Sequence, residues 1–511
     1  MKDIHYYIQA LIDYALKKEL VKENDRNWAA NQIIAKLKLP FFKISRINEK
    51  MPAEPSSILS EISSWAVENK IIEDLPIIRN LFETDIIGSI LQRPSDWNAA
   101  FEKIVKEKGV KTATDWFYEK EKQAYYIKTE EVKKNVLWKT KTKYGTLDLV
   151  INLSKPEKTP QEIALLKTQG AAALEDFVYP KCPLCPQNEG FAGGLKQTPR
   201  QNLRILPLSL NGERWYLQYS PFVYYNEHCI ILDENHRDMI INEKTFVRLL
   251  DFLEKFPHYF IGSNADLPIV GGSILNHDHY QGGNYPFALH KAKSRKNFKI
   301  KKFPKLKCSI LDWSMSAIRL IGSKKDIVAA SSLIFNKWKN YSDESVEIKA
   351  YTKSQRHNTI TPIAKRQGRD FLIDLVLRNN RISEESGEGI FHTKSKYHHI
   401  KRENIGLIEA LGMAILPARL KKEFQILKDY LIKGEIEKIK DNTDAAKHYE
   451  WAKELEQKYK WTDKNCDDIL KKETGIIFAK SLECCAVFKD DEKGRNAFDK
   501  FIAKICAPER S

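Results

Sequence analysis

The chain has 511 residues, of which 84 are Lys or Arg and 68 are Asp or Glu, so 84 − 68 gives a formal net charge of +16. Its length predicts more than one domain, and its 42% hydrophobic residues exclude a disordered chain. No apolar run approaches about 18 residues, which excludes a membrane span. The charge alone suggests a nucleic acid or another anionic partner. Lysines that are scattered along a chain, however, more often reflect its overall composition than a binding surface.

Cysteine usage indicates a reducing compartment. The chain has eight cysteines, and only Cys182 and Cys185 have CxxC spacing. This pattern does not fit a disulfide scaffold, so we expect a cytoplasmic protein. The N-terminal segment mixes acidic and basic residues into its apolar pattern, which is unlike a signal peptide.

The first part of the chain, 1–170, is predicted to be mainly helical. Apolar residues such as Ile4, Ile8 and Leu11 recur at helical spacing. Residues 28–39 continue this pattern until Pro40. No catalytic motif occurs here, so a packing or oligomer-forming role is the prediction.

The pattern changes after residue 170. Asn242 is predicted to cap a helix that ends before Pro257. Apolar and aromatic runs predict strands at 215–220, 222–226, 229–232 and 259–263.

The later part of the chain mixes strands and loops over 296–420, and helices are predicted for 421–511. The order of elements favours an α+β fold over regular βαβ alternation. Neither GxGxxG nor GxxxxGK[ST] occurs, which argues against a dehydrogenase and against a P-loop kinase. No organic cofactor is expected.

The segment NHDHYQGG (276–283) contains the most informative motif, HxHxQ. In an extended strand, side chains alternate between faces, so His277, His279 and Gln281 are expected to point the same way. Three polar side chains on one face are costly to bury without partners. An exposed polar strand face is the alternative for the motif taken alone.

The preceding glycine-containing loop supplies Asn264 and Ser273. Backbone amides can approach an anion closely at glycines, and neutral N–H and O–H donors suit phosphate oxygens. A neutral imidazole beside such donors can attack phosphorus and form a nucleotidyl-histidine. We therefore predict phosphoryl or nucleotidyl transfer here.

The CxxC motif suggests a metal site. A single CxxC is weak support for zinc, and a redox pair is the competing interpretation. Zinc is also held by mixed Cys₂His₂ sets, and His228 with His277 would complete one beside Cys182 and Cys185. Zinc on His277 would anchor the strand that presents His279.

Several strings together carry a family resemblance. The order CPLC, EHCIILDENH and HxHxQ is similar to the histidine-triad superfamily. The strings GSNADLPIVGGSILNHDHYQGG, HNTITPI, FLIDLVLRNNR and HHIKRENIGLIEALGMAILPARL closely resemble the class II bacterial galactose-1-phosphate uridylyltransferases. The resemblance implies a catalytic histidine-triad-like half at 171–295 and a degenerate second half at 296–420, with mixed and antiparallel sheets and helical regions at 1–170 and 421–511.

The resemblance also implies a reaction. The family exchanges UMP between UDP-glucose and galactose 1-phosphate by a ping-pong route, giving UDP-galactose and glucose 1-phosphate. His279 would be the nucleophile and Gln281 would hydrogen-bond a phosphoryl oxygen. A neutral amide at 281 orients but does not transfer protons, which favours transfer over hydrolysis.

Further residues carry over by motif. The resemblance implies a phosphate loop with Asn264 and Ser273, and a structural zinc site of Cys182, Cys185, His228 and His277. It also implies a homodimer. The chain has FHTK (391–394) where the family pattern is FHPH, so no role for His392 is carried over. Polar residues beside apolar strands are candidates for binding the sugar or its phosphate; these are Arg356, His357, Asn358, Arg378 and Asn379.

Two rival functions remain distinguishable by sequence. A histidine-triad nucleotide hydrolase or phosphorylase should carry HxHxH, and is usually shorter, so Gln281 and the length disfavour it. A zinc-containing nucleic-acid-binding protein should interleave basic and aromatic residues in a patch, and only 126–144 approaches that pattern. We therefore expect no nucleic-acid partner.

Overall fold

The computed structural model describes residues 3–44, 54–154, 179–272, 274–383 and 387–507. These residues form two compact units, each built from separate stretches of the chain. The first unit lies within Met1–Lys134, Ser154–Arg237 and His277–His279, and the second within Asn135–Leu153, Asp238–Asn276 and Tyr280–Ser511.

Helices dominate both ends of the described chain. In chain order they are α1 (Ile4–Lys17), α2 (Arg26–Lys36), α3 (Pro55–Glu68), α4 (Pro76–Gly88), α5 (Pro94–Lys108), α6 (Val110–Gln123), α7 (Thr129–Lys133), α8 (Glu243–Lys255), α9 (Lys324–Lys339), α10 (Leu407–Ala410), α11 (Arg419–Lys433), α12 (Tyr449–Lys458), α13 (Cys466–Cys485) and α14 (Glu492–Cys506).

Strands occupy the middle of the chain. They are β1 (Val136–Thr142), β2 (Gly145–Ile151), β3 (Leu206–Leu210), β4 (Glu213–Tyr219), β5 (Cys229–Asp233), β6 (Phe260–Gly262), β7 (His279–Gly283), β8 (Ser294–Phe298), β9 (Lys307–Leu311), β10 (Ala317–Gly322), β11 (Tyr351–Thr352), β12 (Gln355–Arg356), β13 (Asn358–Gln367), β14 (Asp370–Asn379) and β15 (Met413–Leu416).

The first unit combines helices α1 to α7 with an antiparallel meander, β3–β4–β5. Helices α3, α4 and α5 each begin with a proline, where the missing N–H has no intrahelical partner to lose. Tyr219 of β4 joins helix and sheet. Its hydroxyl donates to the Thr114 carbonyl at 3.1 Å, and its ring packs on Phe117 and Tyr118 of α6.

The second unit is built on an antiparallel sheet. Its strand order is β7–β6–β13–β14–β10–β9–β8, with β7 contributing from Tyr280 onward. Strands β13 and β14 pair along their whole length, and helices α8 and α9 pack against β13. The buried Trp338 of α9 donates its indole N–H to the carbonyls of Thr359 and Arg378, at 2.8 and 3.2 Å. One side chain thereby ties α9 to both central strands.

A smaller sheet completes the second unit. Strand β2 pairs antiparallel with β1 and parallel with β15. Antiparallel and mixed sheets with helical terminal regions confirm the predicted α+β class. Among the described helices, none is both long enough and apolar enough to cross a bilayer.

The predicted elements differ locally from the structure. Asn242 caps α8 as predicted, accepting the Lys244 N–H at 2.9 Å, and the helix ends at Lys255. Residues 222–226 were predicted as a strand but form bends and turns. Strand β7 begins only at His279, so His277 lies just before the strand, and a common direction of His277, His279 and Gln281 stays a prediction. The four-part domain division stays a prediction.

Candidate functional site

Four ligand-type side chains of the first unit converge. One atom from each of Cys182, Cys185, His236 and His277 lies within 4.8 Å of all the others. The sulfurs are 3.6 Å apart, and the Cys182 sulfur is 3.2 Å from His277 Nδ1. The Cys185 sulfur lies 3.3 Å from His236 Nδ1 and 3.6 Å from His277 Nδ1. These residues form a Cys₂His₂ cluster able to hold a metal.

The donor set suits a small tetrahedral cation. Ideal Zn–S and Zn–N bonds place neighbouring ligand atoms about 3.4–3.8 Å apart, close to the separations within the cluster. Burial raises the pKa of the Cys182 thiol to about 12. This thiol therefore needs a nearby cation to become a thiolate, and a bound metal would supply that charge.

Surrounding hydrogen bonds orient the cluster. His277 Nε2 lies 2.9 Å from the Asp233 carbonyl oxygen. Because a carbonyl accepts, Nε2 carries the proton and Nδ1 presents its lone pair toward the thiols. The Asn188 amide donates at 2.8 Å to the carbonyls of Cys182 and Cys185, which fixes the CxxC turn.

His228, predicted as the fourth ligand, is replaced in the cluster by His236. The two histidines flank opposite ends of β5 (Cys229–Asp233), and at about 3.3 Å per residue such a strand spans roughly 16 Å. The His228 ring instead contacts the Phe222 carbonyl at 3.2 Å and stacks on Tyr224. The signal for His236 was present in the sequence, because EHCIILDENH ends on it.

His279, also in the first unit, has a defined tautomer. Its Nδ1 lies 2.8 Å from the carbonyl oxygen of His277, so Nδ1 carries the proton and Nε2 keeps its lone pair. Burial lowers the pKa of His279 to about 4, which keeps the ring neutral at pH 7. A buried neutral imidazole with a free Nε2 lone pair is a competent nucleophile.

Gln281 and Asn264 lie in the second unit. Gln281 is half-buried on β7, where it pairs with Gly262. The Asn264 side chain is buried, and its Oδ1 accepts the Leu407 N–H at 2.9 Å. The amide nitrogen therefore faces the other way, toward Gly272, whose added Cβ would lie 2.7 Å from it. Ser273 lies outside the described residues.

The candidate sugar-binding residues of the second unit are engaged in internal hydrogen bonds. Both ring nitrogens of His357 have partners at 2.9 Å, the Asn380 side-chain oxygen and the Thr352 hydroxyl. Asn358 donates to the carbonyls of Trp338 and Tyr341 at 2.7 and 2.8 Å. Substrate contact by these two residues stays a prediction.

The remaining candidates are also tied to neighbouring groups. Asn379 donates at 2.7 Å to the Asn358 side-chain oxygen. The fully buried Arg378 donates at 2.8 Å to the Ile405 carbonyl. Arg356 forms an ion pair with Asp266 at 2.8 Å. The sequence motifs did not single out Asp266, although it lies inside the segment GSNADLPIVGGSILNHDHYQGG.

Two family models match this chain. The model described as "Galactose-1-phosphate uridyl transferase, N-terminal domain" matches residues 35–238, and that of the C-terminal domain matches 252–453. Together they cover most of the chain and define a nucleotidyl-transferring class of protein. The chain belongs to the galactose-1-phosphate uridylyltransferase family.

Full-length relatives agree. The chain is 48% identical over 505 residues to the galactose-1-phosphate uridylyltransferase of Fusobacterium nucleatum, with 98% of each chain covered. It is 42% identical over 505 residues to that of Bacillus subtilis, again covering 98% of each. Yeast Ap4A phosphorylase Apa2, a solved structure, aligns at 14% identity over 59% of this chain and 85% of that chain, with a TM-score of 0.31. This structural likeness is too low to add to the assignment.

Proposed function

We propose that this chain transfers UMP between UDP-glucose and galactose 1-phosphate through a covalent uridylyl-histidine on His279. In the first half-reaction, Nε2 attacks the α-phosphorus of UDP-glucose, and the bond to the bridging oxygen breaks. Glucose 1-phosphate leaves with the bonding electrons. In the second, a phosphate oxygen of galactose 1-phosphate attacks the same phosphorus, the N–P bond breaks and UDP-galactose forms.

The tautomer of His279 is the observation that carries this proposal. Its Nδ1 proton is held by the His277 carbonyl, so Nε2 is available to bond phosphorus without first losing a proton. As that bond forms, the ring becomes cationic. The same carbonyl then accepts a stronger hydrogen bond, which stabilises the developing charge.

The neighbouring polar residues have proposed roles by motif. Gln281 would donate its amide N–H to a phosphoryl oxygen of the intermediate, and Asn264 would donate to a phosphate of the nucleotide sugar. The orientation of the Asn264 amide supports this role, because the Leu407 N–H occupies its oxygen. Neither amide can take a proton from an attacking water molecule, which favours a sugar phosphate as acceptor.

Zinc is the metal that we propose for the Cys₂His₂ cluster. Two soft thiolates with two imidazoles suit Zn²⁺ in a closed structural site. Cys182, Cys185, His236 and His277 would hold the ion, leaving no ligand position for substrate. The metal would fix the main chain at His277, two residues before His279.

Adduct formation tests the proposal. The purified protein is incubated with UDP-glucose labelled in the uracil ring and quenched in base, and the acid-labile label on protein is counted. Wild type should retain about one label per chain, and galactose 1-phosphate should discharge it as labelled UDP-galactose. His279→Ala should retain none.

A buried histidine outside the site provides the control. His290→Asn should form the adduct as wild type does. Label that persists in His279→Ala would remove the nucleophile assignment. An adduct that water discharges as fast as galactose 1-phosphate would instead favour a hydrolase.

Location and assembly complete the proposal. We place the protein in the cytoplasm, since Cys182 and Cys185 can act as ligands only while reduced. Family resemblance favours a homodimer, which light scattering of the purified protein would measure. UDP-glucose, UDP-galactose and hexose 1-phosphates are its small-molecule partners.

A further inference from the structure

The Asp266 carboxylate accepts hydrogen bonds from three residues that lie in separate parts of the second unit. Its Oδ2 accepts from the Arg356 guanidinium at 2.8 Å and from the Ile241 main-chain N–H at 3.0 Å. Its Oδ1 accepts from the Thr359 hydroxyl at 2.5 Å. The Asp266 side chain is only 2% exposed, so these donors take the place of water around the carboxylate.

The donors come from rigid elements. Ile241 directly precedes the capping residue of α8, Arg356 ends β12, and Thr359 lies on the central strand β13. Asp266 itself lies in the loop that follows β6. One carboxylate therefore fastens this loop to a helix start and to the sheet.

The fastened loop, residues 264–272, is tight and strained. Ala265 and Gly271 form a bridge across it, and a Cβ added at Gly271 would lie 2.4 Å from the Ala265 carbonyl oxygen. Ile269 has φ of +73°, a left-handed conformation that β-branched residues rarely adopt. Such a conformation persists only where surrounding contacts enforce it.

The loop carries Asn264 at its start and Gly272 at its end. Their positions are coupled, since Gly272 leaves just enough room for the Asn264 amide nitrogen. Any shift of the loop relative to the sheet would therefore turn or displace the amide. We propose that Asp266 is a positioning residue, which holds the loop so that Asn264 donates to a substrate phosphoryl group. This inference rests on the proposed function, in which Asn264 contacts a phosphate.

A positioning role and a purely stabilising role predict different results. If Asp266 only stabilises the fold, its replacement lowers the urea midpoint and leaves the kinetics of the folded protein unchanged. If it positions the loop, the folded protein forms the uridylyl adduct more slowly. The two effects are separated by measuring the single-turnover rate and the urea midpoint on the same variants.

The test uses one variant of the carboxylate itself and two variants of one of its hydrogen-bond donors. Asp266→Asn removes the charge while keeping the size, and Thr359→Val removes one hydroxyl donor. Thr359→Ser restores that donor. Displacing a binding group by about 1 Å costs up to roughly 100-fold in rate, so we expect at least about a tenfold slower adduct formation in Asp266→Asn. Thr359→Val should be slower than wild type, and Thr359→Ser close to it.

Ser316→Ala is the matched control for stability. The buried Ser316 hydroxyl donates to the Phe488 carbonyl at 3.1 Å and accepts from the Phe488 N–H at 2.9 Å. Both residues lie in the second unit, outside the loop. The substitution should lower the urea midpoint and keep the wild-type rate. Wild-type rates in Asp266→Asn and Thr359→Val, or an equal slowing in Ser316→Ala, would overturn the inference. Failure of the proposed function shows separately, as no adduct in wild type or an adduct in His279→Ala.

Discussion

Two clusters of polar residues are candidate sites by sequence, and they differ in how their polar atoms are paired. In the first unit, Cys182, Cys185, His236 and His277 direct ligand atoms toward one another. In the second unit, the polar residues at the ends of β13 and β14 direct donors at acceptors. Asn358, for example, uses its amide nitrogen for two carbonyls and its oxygen for the Asn379 amide.

This difference distinguishes a set of side chains that could bind a metal from a set whose polar atoms are hydrogen-bonded to one another. Buried polar atoms are nearly always hydrogen-bonded, and a fully bonded network mainly fixes the fold. A set of thiols and imidazole nitrogens that converge on one point can instead hold a cation. Residue type alone does not distinguish the two cases, whereas the partners of each atom do.

The largest effect should come from breaking the Cys₂His₂ cluster. His236→Ala removes one of the proposed zinc ligands, so the purified variant should hold less metal than wild type and lose several kcal/mol of unfolding free energy. His228→Ala should keep the metal, because that ring lies on Phe222 and Tyr224 instead. Metal content by mass spectrometry and urea denaturation provide the two measurements. Retained zinc in His236→Ala with loss in His228→Ala would restore the sequence-based ligand set.

A smaller effect is expected in the hydrogen-bonded network. Asn358→Ala leaves the Trp338 and Tyr341 carbonyls and the Asn379 amide without their partner. Unfolding free energy should fall by about 1–3 kcal/mol, measured by urea denaturation at pH 7.5. Undiminished stability combined with a raised KM for UDP-glucose would instead make Asn358 a substrate ligand.

The smallest effect concerns a buried histidine of the second unit. Burial lowers the pKa of His290 to about 3, and Lys291, Arg319 and Lys365 nearby oppose its protonation further. Below pH 6.5 the unfolded chain binds a proton at this ring and the folded chain does not, so stability falls as the pH falls. The slope from one such group is about 1.4 kcal/mol per pH unit.

His290→Asn removes that proton uptake. The loss of unfolding free energy between pH 7.5 and 5.5 should therefore be about 1 kcal/mol smaller in the variant than in wild type. Urea denaturation at the two pH values measures it. Equal losses in the two proteins would show that folding does not lower the pKa of His290.

Much of the fold follows from local chemistry. The Asn242 cap, the apolar stripe of α8 and the β-branched run of β5 each specify one element through contacts close in sequence. The CxxC and HxH motifs likewise identified Cys182, Cys185 and His277, three members of the Cys₂His₂ cluster, and the role of His279 stays a prediction. Short-range patterns therefore predicted the class of fold and most of the Cys₂His₂ cluster.

The remaining features depend on distant parts of the chain. The choice of His236 over His228 is set by which end of β5 meets the CxxC turn, and both ends carry a histidine. Residues 222–226 have strand-like composition, but the Ser220 hydroxyl contacts the Phe222 carbonyl and N–H, at 3.1 and 3.2 Å, and closes a turn there. Asp266 gains its role from Arg356 and Thr359, about ninety positions away.

The interleaving of the two units has a consequence for synthesis. The first unit includes His277–His279 and the second includes Asn135–Leu153, so neither unit is one continuous stretch of the chain. During translation, β2 cannot pair with its parallel neighbour β15 until Leu416 has left the ribosome. Such distant pairing slows folding and leaves a strand edge exposed meanwhile. We expect nascent chains from which Leu416 has not yet left the ribosome to depend on chaperones.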